Sequence, residues 1–496
     1  MLQPLEELTS LGAEMARTAN AAGVRLIWRT QVRSSKWTVV RQGKVEGSAA
    51  STLSGHGAQV ITADGRVALA SRDDFEPEHA TALLKRVIAT AATGERLGLQ
   101  AADAFTFEKL IGREIPVDPA TFATVDLEKT SKRLVELERE ISARVPGPTL
   151  SVSFRSELDA WRIFRDDGSD VFFAMPRCVL SMRATGSGNG GRHGVSATLF
   201  SPDPYVPFDD DQVELFLRRA EQSARLATLL PDAPSHPAGS FPLVIDYALA
   251  KGLAHEAFGH ASEADGFRSS VLAESGRFKV GTTVGPETIS IIDEPVAGDH
   301  AWQPFSANGI RRERAVIVRR GQLEDALSDP WSARAAGVRL TGSGRAESYR
   351  SAPQPRMTNI RIESSEPLDA PGRFEDYGPE EVRALLAGAG VFRRHSKVVY
   401  LSGYTGGQVN TAGGDFVFQC KAIYDLDERG VTLFKPAIFS GSMFGALQSV
   451  REAFGPLVLD AIGYCGKWGQ QVPSSGGSHY FLVLEPHASV RLGGRG

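Results

Sequence analysis

Four prolines, Pro231, Pro234, Pro237 and Pro242, fall within twelve residues, with Gly239 and Ser240 between the last two. A proline ring fixes φ and removes a backbone donor, so neither a helix nor a central strand can run through this stretch. The chain must fold as separate blocks on either side of it. At ~150 residues per domain, 496 residues suggest about three blocks. We expect an N-terminal α+β domain over 1–110 and a middle α+β region over 111–230. A linker over 231–241 and a C-terminal β-rich domain over 242–496 complete the organisation.

Upstream of the prolines, helical and strand periods alternate. Leu5, Leu8, Leu11, Met15 and Ala19 recur at steps of three and four, the face of a helix. Strand-like runs follow over 24–32, 37–41, 58–62 and 67–70, and Asp64-Gly65 marks a hairpin between the last two. Helices are predicted over 76–92 and 127–145, with strands over 150–155, 170–173 and 178–184. The run Gly186-Ser-Gly-Asn-Gly-Gly191 matches GxGxxG, yet a strand follows it where a dinucleotide site needs a helix, so it reads as a hairpin loop. Asp209-Asp210-Asp211 opens a further helix with apolar positions at Val213, Phe216, Leu217, Ala220, Ala224 and Ala227.

Downstream, short β-rich runs alternate with glycine turns, and glycine is 51 of the 496 residues. Two helices are predicted, from Leu243 through His260 and from Met443 to Phe454. The fold class is therefore α+β, a mixed N-terminal half followed by a mostly antiparallel β domain that carries the chemistry-bearing helix. Basic residues number 55 against 59 acidic ones, which argues against a nucleic-acid partner. Arg311-Arg312-Glu313-Arg314 and Arg319-Arg320 accordingly read as solvated strand ends. Three cysteines are too few for a disulfide framework and suit a reducing compartment. With no targeting segment and no run of eighteen apolar residues, a cytoplasmic, membrane-free protein is expected.

The chemistry concentrates in His255-Glu256-Ala-Phe-Gly259-His260, trailed by Glu263 and Asp265. Histidines four apart lie about 40° apart on an α-helix, but five apart they lie about 140° apart. Both can face one metal only if the helix widens to a π-type turn or ends between them, and Gly259 makes either distortion cheap. A catalytic zinc site takes three protein ligands and keeps a fourth position for water. Spacing leaves the third ligand open among Glu263, Asp265 and a cysteine. Cys178 and Cys420 sit in apolar runs and read as packing residues. Cys465, flanked by glycines and followed by Lys467, is the better thiolate. His395 and His479 are further polar candidates that no pattern selects.

With these residues in hand, the chain resembles the TldD/PmbA family, in its motif-bearing TldD-like branch. The resemblance rests on 255–265 together with Pro355-Arg-Met-Thr-Asn359, Gly414-Asp-Phe-Val-Phe418 and Cys465-Gly-Lys-Trp-Gly-Gln-Gln-Val-Pro473, four blocks in order. It departs from the family pattern over 292–308 and after Pro473. The resemblance implies a zinc-dependent peptidase with His255, His260 and Cys465 as metal ligands and Glu256 activating a zinc-bound water. It also implies unfolded or modified peptides as substrates. A dimer is expected, including one with a homologous subunit that lacks the His-Glu motif. Two alternatives stand beside it: a C–N bond-cleaving hydrolase acting on a small natural product or metabolite, and a structural-zinc scaffold subunit.

Overall fold

The structure is a computed structural model that describes residues 2–93 and 108–493. It is an α+β fold built on two large sheets. The first has seven strands in the order Val67–Arg72, Lys44–Ile61, Arg25–Arg41, Thr149–Arg165, Asp170–Gly188, Ile111–Glu114, with Gly191–Ser201 paired to Asp170–Gly188. Alternation assigns its two faces. Leu26, Trp28, Val152 and Phe154 pack on the helices Thr9–Ala21, Pro77–Thr93, Leu127–Arg144 and Asp210–Leu229. Ile27, Ile61, Trp161 and Ile163 turn the other way, against Trp302 and Phe305 of the second half. Arg25–Arg41 pairs with Thr149–Arg165 from Ile27↔Arg165 to Arg41↔Ser151. The boundary expected at residue 110 thus divides a single sheet.

Several predicted strands are parts of longer ones. The runs 24–32 and 37–41 merge into Arg25–Arg41, and the strands begun at 150 and 170 continue to Arg165 and Gly188. The glycine-rich run is a hairpin turn, with Gly188 opposite Gly191. The proline segment is pinned rather than loose: Gly239 bridges to Leu492, and the fully buried His236 ring lies 2.8 Å from Asp425.

The second sheet has thirteen strands and is mostly antiparallel. Two predicted helices are shorter than expected there. Leu243–Asp246 is a buried strand, parallel to Lys397–Asn410 on one side and antiparallel to Gln470–Leu484 on the other. A continuous apolar run buried on both faces does not separate strand from helix by period, which is why helix was expected. The Met443 helix ends at Gln448, and Val450–Val458 crosses into the sheet against Gln470–Leu484. Arg312 departs from the expected solvated strand end: its side chain and that of Asp293 are both fully buried, 2.7 Å apart. Among the described residues no helix is long and apolar enough to cross a membrane.

Candidate metal centre

Asp246 ends the central strand and caps the helix after it, accepting from the Leu249 backbone N–H at 2.9 Å. One short α-helical stretch, Tyr247–Gly252, then widens into a π-helix over Leu253–Gly259. At its end the His260 N–H donates to the His255 carbonyl, the five-residue step that a π turn makes. The two imidazoles consequently share one side, with ring centroids 5.2 Å apart. Leu253, Ala254, Ala257 and Phe258 hold the turn in the core of the second sheet.

Gly259 has a different reason from flexibility. Its φ is not positive, and a Cβ there would stand 2.8 Å from Met357 Sδ and 3.1 Å from Ile360 Cδ1. Glycine lets the turn lie directly on the strand Asn359–Ser364 and its approach. Gly259→Ala is therefore expected to cost about 1–3 kcal/mol through overpacking, read as a lower denaturant midpoint.

Cys465 arrives from the strand Gly463–Lys467, which pairs with Gln470–Leu484 in a hairpin. Its Sγ lies 3.3 Å from His260 Nε2. One donor atom from each of His255, His260 and Cys465 lies within 4.8 Å of the others. His255 Nδ1 is buried and has no hydrogen-bond partner. Two imidazoles and a thiolate with one coordination position to spare form a donor set that suits zinc, so the residues present fit an ion. Burial, with Lys251 and His260 nearby, pushes His255 well below the ordinary histidine value, towards the neutral ligating form. Burial also opposes the Cys465 thiolate, but His260 and Arg356 outweigh it and hold the thiol below its usual range.

Glu263 and Asp265 are close by but face elsewhere. Glu263 stands 3.2 Å from His260 Nδ1 and accepts from Lys467 Nζ at 2.9 Å, and Lys467 also reaches Asp265 at 2.8 Å. Lys467 is thus engaged with two carboxylates, and the charges that favour the Cys465 thiolate come instead from His260 and Arg356. Glu263 orients the His260 ring from behind, as outer partners of ligating histidines do. Glu263→Gln is expected to weaken metal binding by about 10–100-fold, measured by competition with a chromogenic chelator.

The Pro355–Asn359 block closes the back of the centre. Arg356, 1% exposed, donates to the Cys465 carbonyl, and Met357 seats Gly259. Arg345 is equally buried and donates to the Met357 and Pro473 carbonyls at 2.6 Å each. Cys178 and Cys420 are buried elsewhere, and burial pushes both thiols up to about 12. His395 pairs with Glu485 at 2.8 Å, and His479 sits between the Gly455 carbonyl and the Ser364 N–H. Neither joins the centre.

A cavity of about 870 Å³ opens in front of it, between the helix Asp210–Leu229 and the second sheet, and takes Glu256, His260 and Cys465 into its wall. The Tyr404 hydroxyl donates to Glu256 Oε1 at 3.0 Å, and Glu256 Oε2 lies 3.8 Å from His260 Nε2. Tyr404 was not visible as a site residue, since it comes from 148 positions away. Lys251 was missed too, although four residues before His255 is the same helical face.

Residues 238–466 match the family model described as the PmbA/TldA metallopeptidase C-terminal domain. A metalloprotease of Methanocaldococcus jannaschii is 29% identical over 375 residues, 74% of each chain. A metalloprotease of Archaeoglobus fulgidus is 30% identical over 317 residues, 64% of this chain and 67% of that one. Among solved structures, TldE from Thermococcus kodakarensis superposes with a TM-score of 0.75 at 15% identity, over 98% of this chain and all (100%) of that one, a likeness of fold.

Proposed function

The chain belongs to the TldD/PmbA family, and on that premise we propose that it is a zinc-dependent peptidase hydrolysing amide bonds of unfolded or modified peptides. The observation that carries this reading is the convergence of His255, His260 and Cys465 on one point, with His260 and Cys465 reaching the wall of a cavity that also holds Glu256. Those three residues would hold the ion. When bound, zinc supplies Lewis-acid polarisation of the scissile carbonyl and a lower pKa for coordinated water.

The chain's own groups supply the rest. Glu256 projects into the cavity with one carboxylate oxygen steadied by the Tyr404 hydroxyl, which leaves the other free to take a proton from the attacking water. The same carboxyl then returns the proton to the leaving amine. Glu263 keeps the His260 ring fixed through both steps. The cavity volume accommodates a few residues of extended chain, and its aromatic lining (Tyr247, Phe374, Tyr377, Tyr400, Tyr404) offers apolar side-chain contacts. The three free cysteines suit a reducing cytoplasm, and a dimer, with itself or with a homologous subunit lacking the His-Glu motif, completes the proposal.

The test is turnover of a quenched unfolded peptide by the metal-loaded chain. Hydrolysis that a chelator abolishes and zinc restores is expected. Hydrolysis that persists after the metal is stripped would sink the reading.

A further inference from the structure

Lys251 is 5% exposed and lies in the wall of the cavity beside Glu256 and Cys465. Its ammonium donates one hydrogen bond, to Ser474 Oγ at 3.3 Å, and stands 5.9 Å from the centre of the Tyr404 ring. No carboxylate among the described residues forms an ion pair with it. The negative charges that act on it, Glu256, Cys465 and Asp299, do so at longer range, while burial pulls its pKa down. Arg219, in the same wall, shows the ordinary arrangement: Glu375 and Asp460 each approach it to 2.6 Å. A buried ammonium with donors to spare is costly unless something in the working complex uses them. A peptide brings one kind of anion to such a place, a carboxylate.

We propose that Lys251 recognises a carboxylate of the substrate next to the scissile amide, either the free chain terminus or an acidic side chain. This rests on the cavity being the substrate site of an amide hydrolase. Lys251 lies four residues before His255, at the end of the α-helical stretch, and lines the cavity together with Glu256, so a carboxylate held there lies within a residue or so of the bond in front of Glu256. Two unused N–H groups and the Ser474 hydroxyl form the receptor. Selectivity is then for a charge at a fixed distance from the cleaved bond, whatever the flanking side chains. Lys421 is the cavity's other ammonium without an ion pair, bonded only to the Ser196 carbonyl at 3.1 Å, and serves as the internal comparison.

The experiment uses the full metal-loaded chain and three acetylated peptides built on one parent sequence: a free C-terminal acid, its amide, and the amide with Glu substituted next to the cleaved bond. The wild type is expected to favour one carboxylate form over the plain amide by at least about tenfold in kcat/KM, and which form it favours identifies the source. Lys251→Met is expected to bring that ratio close to one, Lys251→Arg to keep part of it, and Lys421→Met to leave the ratio in place. Calorimetric binding of an acetyl-dipeptide acid and its amide, with and without metal, repeats the comparison independently of turnover. Equal handling of acid and amide by the wild type overturns the proposal and leaves the peptidase reading intact. A ratio that survives Lys251→Met, or collapses only in Lys421→Met, overturns it as well. Selective binding of the acid without hydrolysis of any peptide supports Lys251 and removes the peptidase reading.

Discussion

Glu256→Gln is expected to lower turnover of unfolded peptides by about 10²–10⁴-fold, with bound metal unchanged. The substitution keeps the shape of the side chain and its bond from Tyr404, and removes only the ability to accept a proton. Glu256 supplies no atom to the His255, His260 and Cys465 donor group. Activity should therefore fall without loss of the ion, and metal analysis alongside steady-state rates separates the two. A Glu256→Gln chain that keeps full activity refutes the proton-transfer role. Tyr404→Phe offers a milder companion. Without the hydroxyl bond the carboxylate loses its orientation, so kcat should drop while metal content again holds.

The second large effect is on the ion. Cys465→Ala removes the only sulfur donor of the group, leaving two imidazoles on one π turn. Metal affinity should fall well beyond the ~10–100-fold that outer partners of a ligand are worth, and activity should fall with it. Stability gives an independent readout. An ion that binds the folded chain raises its melting temperature by mass action. Added zinc should raise that temperature in the wild type and do little in Cys465→Ala. Cys178→Ala and Cys420→Ala, at buried positions away from the centre, should keep the zinc response even where they cost packing energy. A wild-type response to zinc in Cys465→Ala removes Cys465 from the ligand set.

Much of this site could be read from residue spacing, and the unread part has physical causes. Histidines five apart made a widened turn the condition for a shared metal, and a π-helix over Leu253–Gly259 is what stands there. The place of Gly259 in that turn was foreseeable, but its cause was not. The contact with Met357 joins residues 98 positions apart, and local pattern carries no trace of it. Leu243–Asp246 escaped because a strand buried on both faces has no two-residue period to display. The third donor escaped spacing for a similar reason. Cys465 reaches His260 across 205 residues through a hairpin register, and it took the family resemblance to single it out. Tyr404 and Lys251 were unread because each gains its meaning only from the cavity they face. The amphipathic helices were legible almost to the residue: the face from Val213 to Ala227 is the buried face of Asp210–Leu229.

The pairing of one π turn with a hairpin 205 residues later has a consequence for the order of events during synthesis. When residue 260 has been made, both imidazoles of the turn are present and Cys465 is not. The pocket for the ion exists only after Cys465 has emerged and Gln470–Leu484 has inserted beside Leu243–Asp246, the strand that launches the turn. An ion held by donors this far apart would close a long loop, so its capture would belong to the last stage of folding and report that Gly463–Lys467 and Gln470–Leu484 are in place. On the proposed zinc-peptidase reading, chains cut short before Cys465 should leave the ribosome without the ion and without activity.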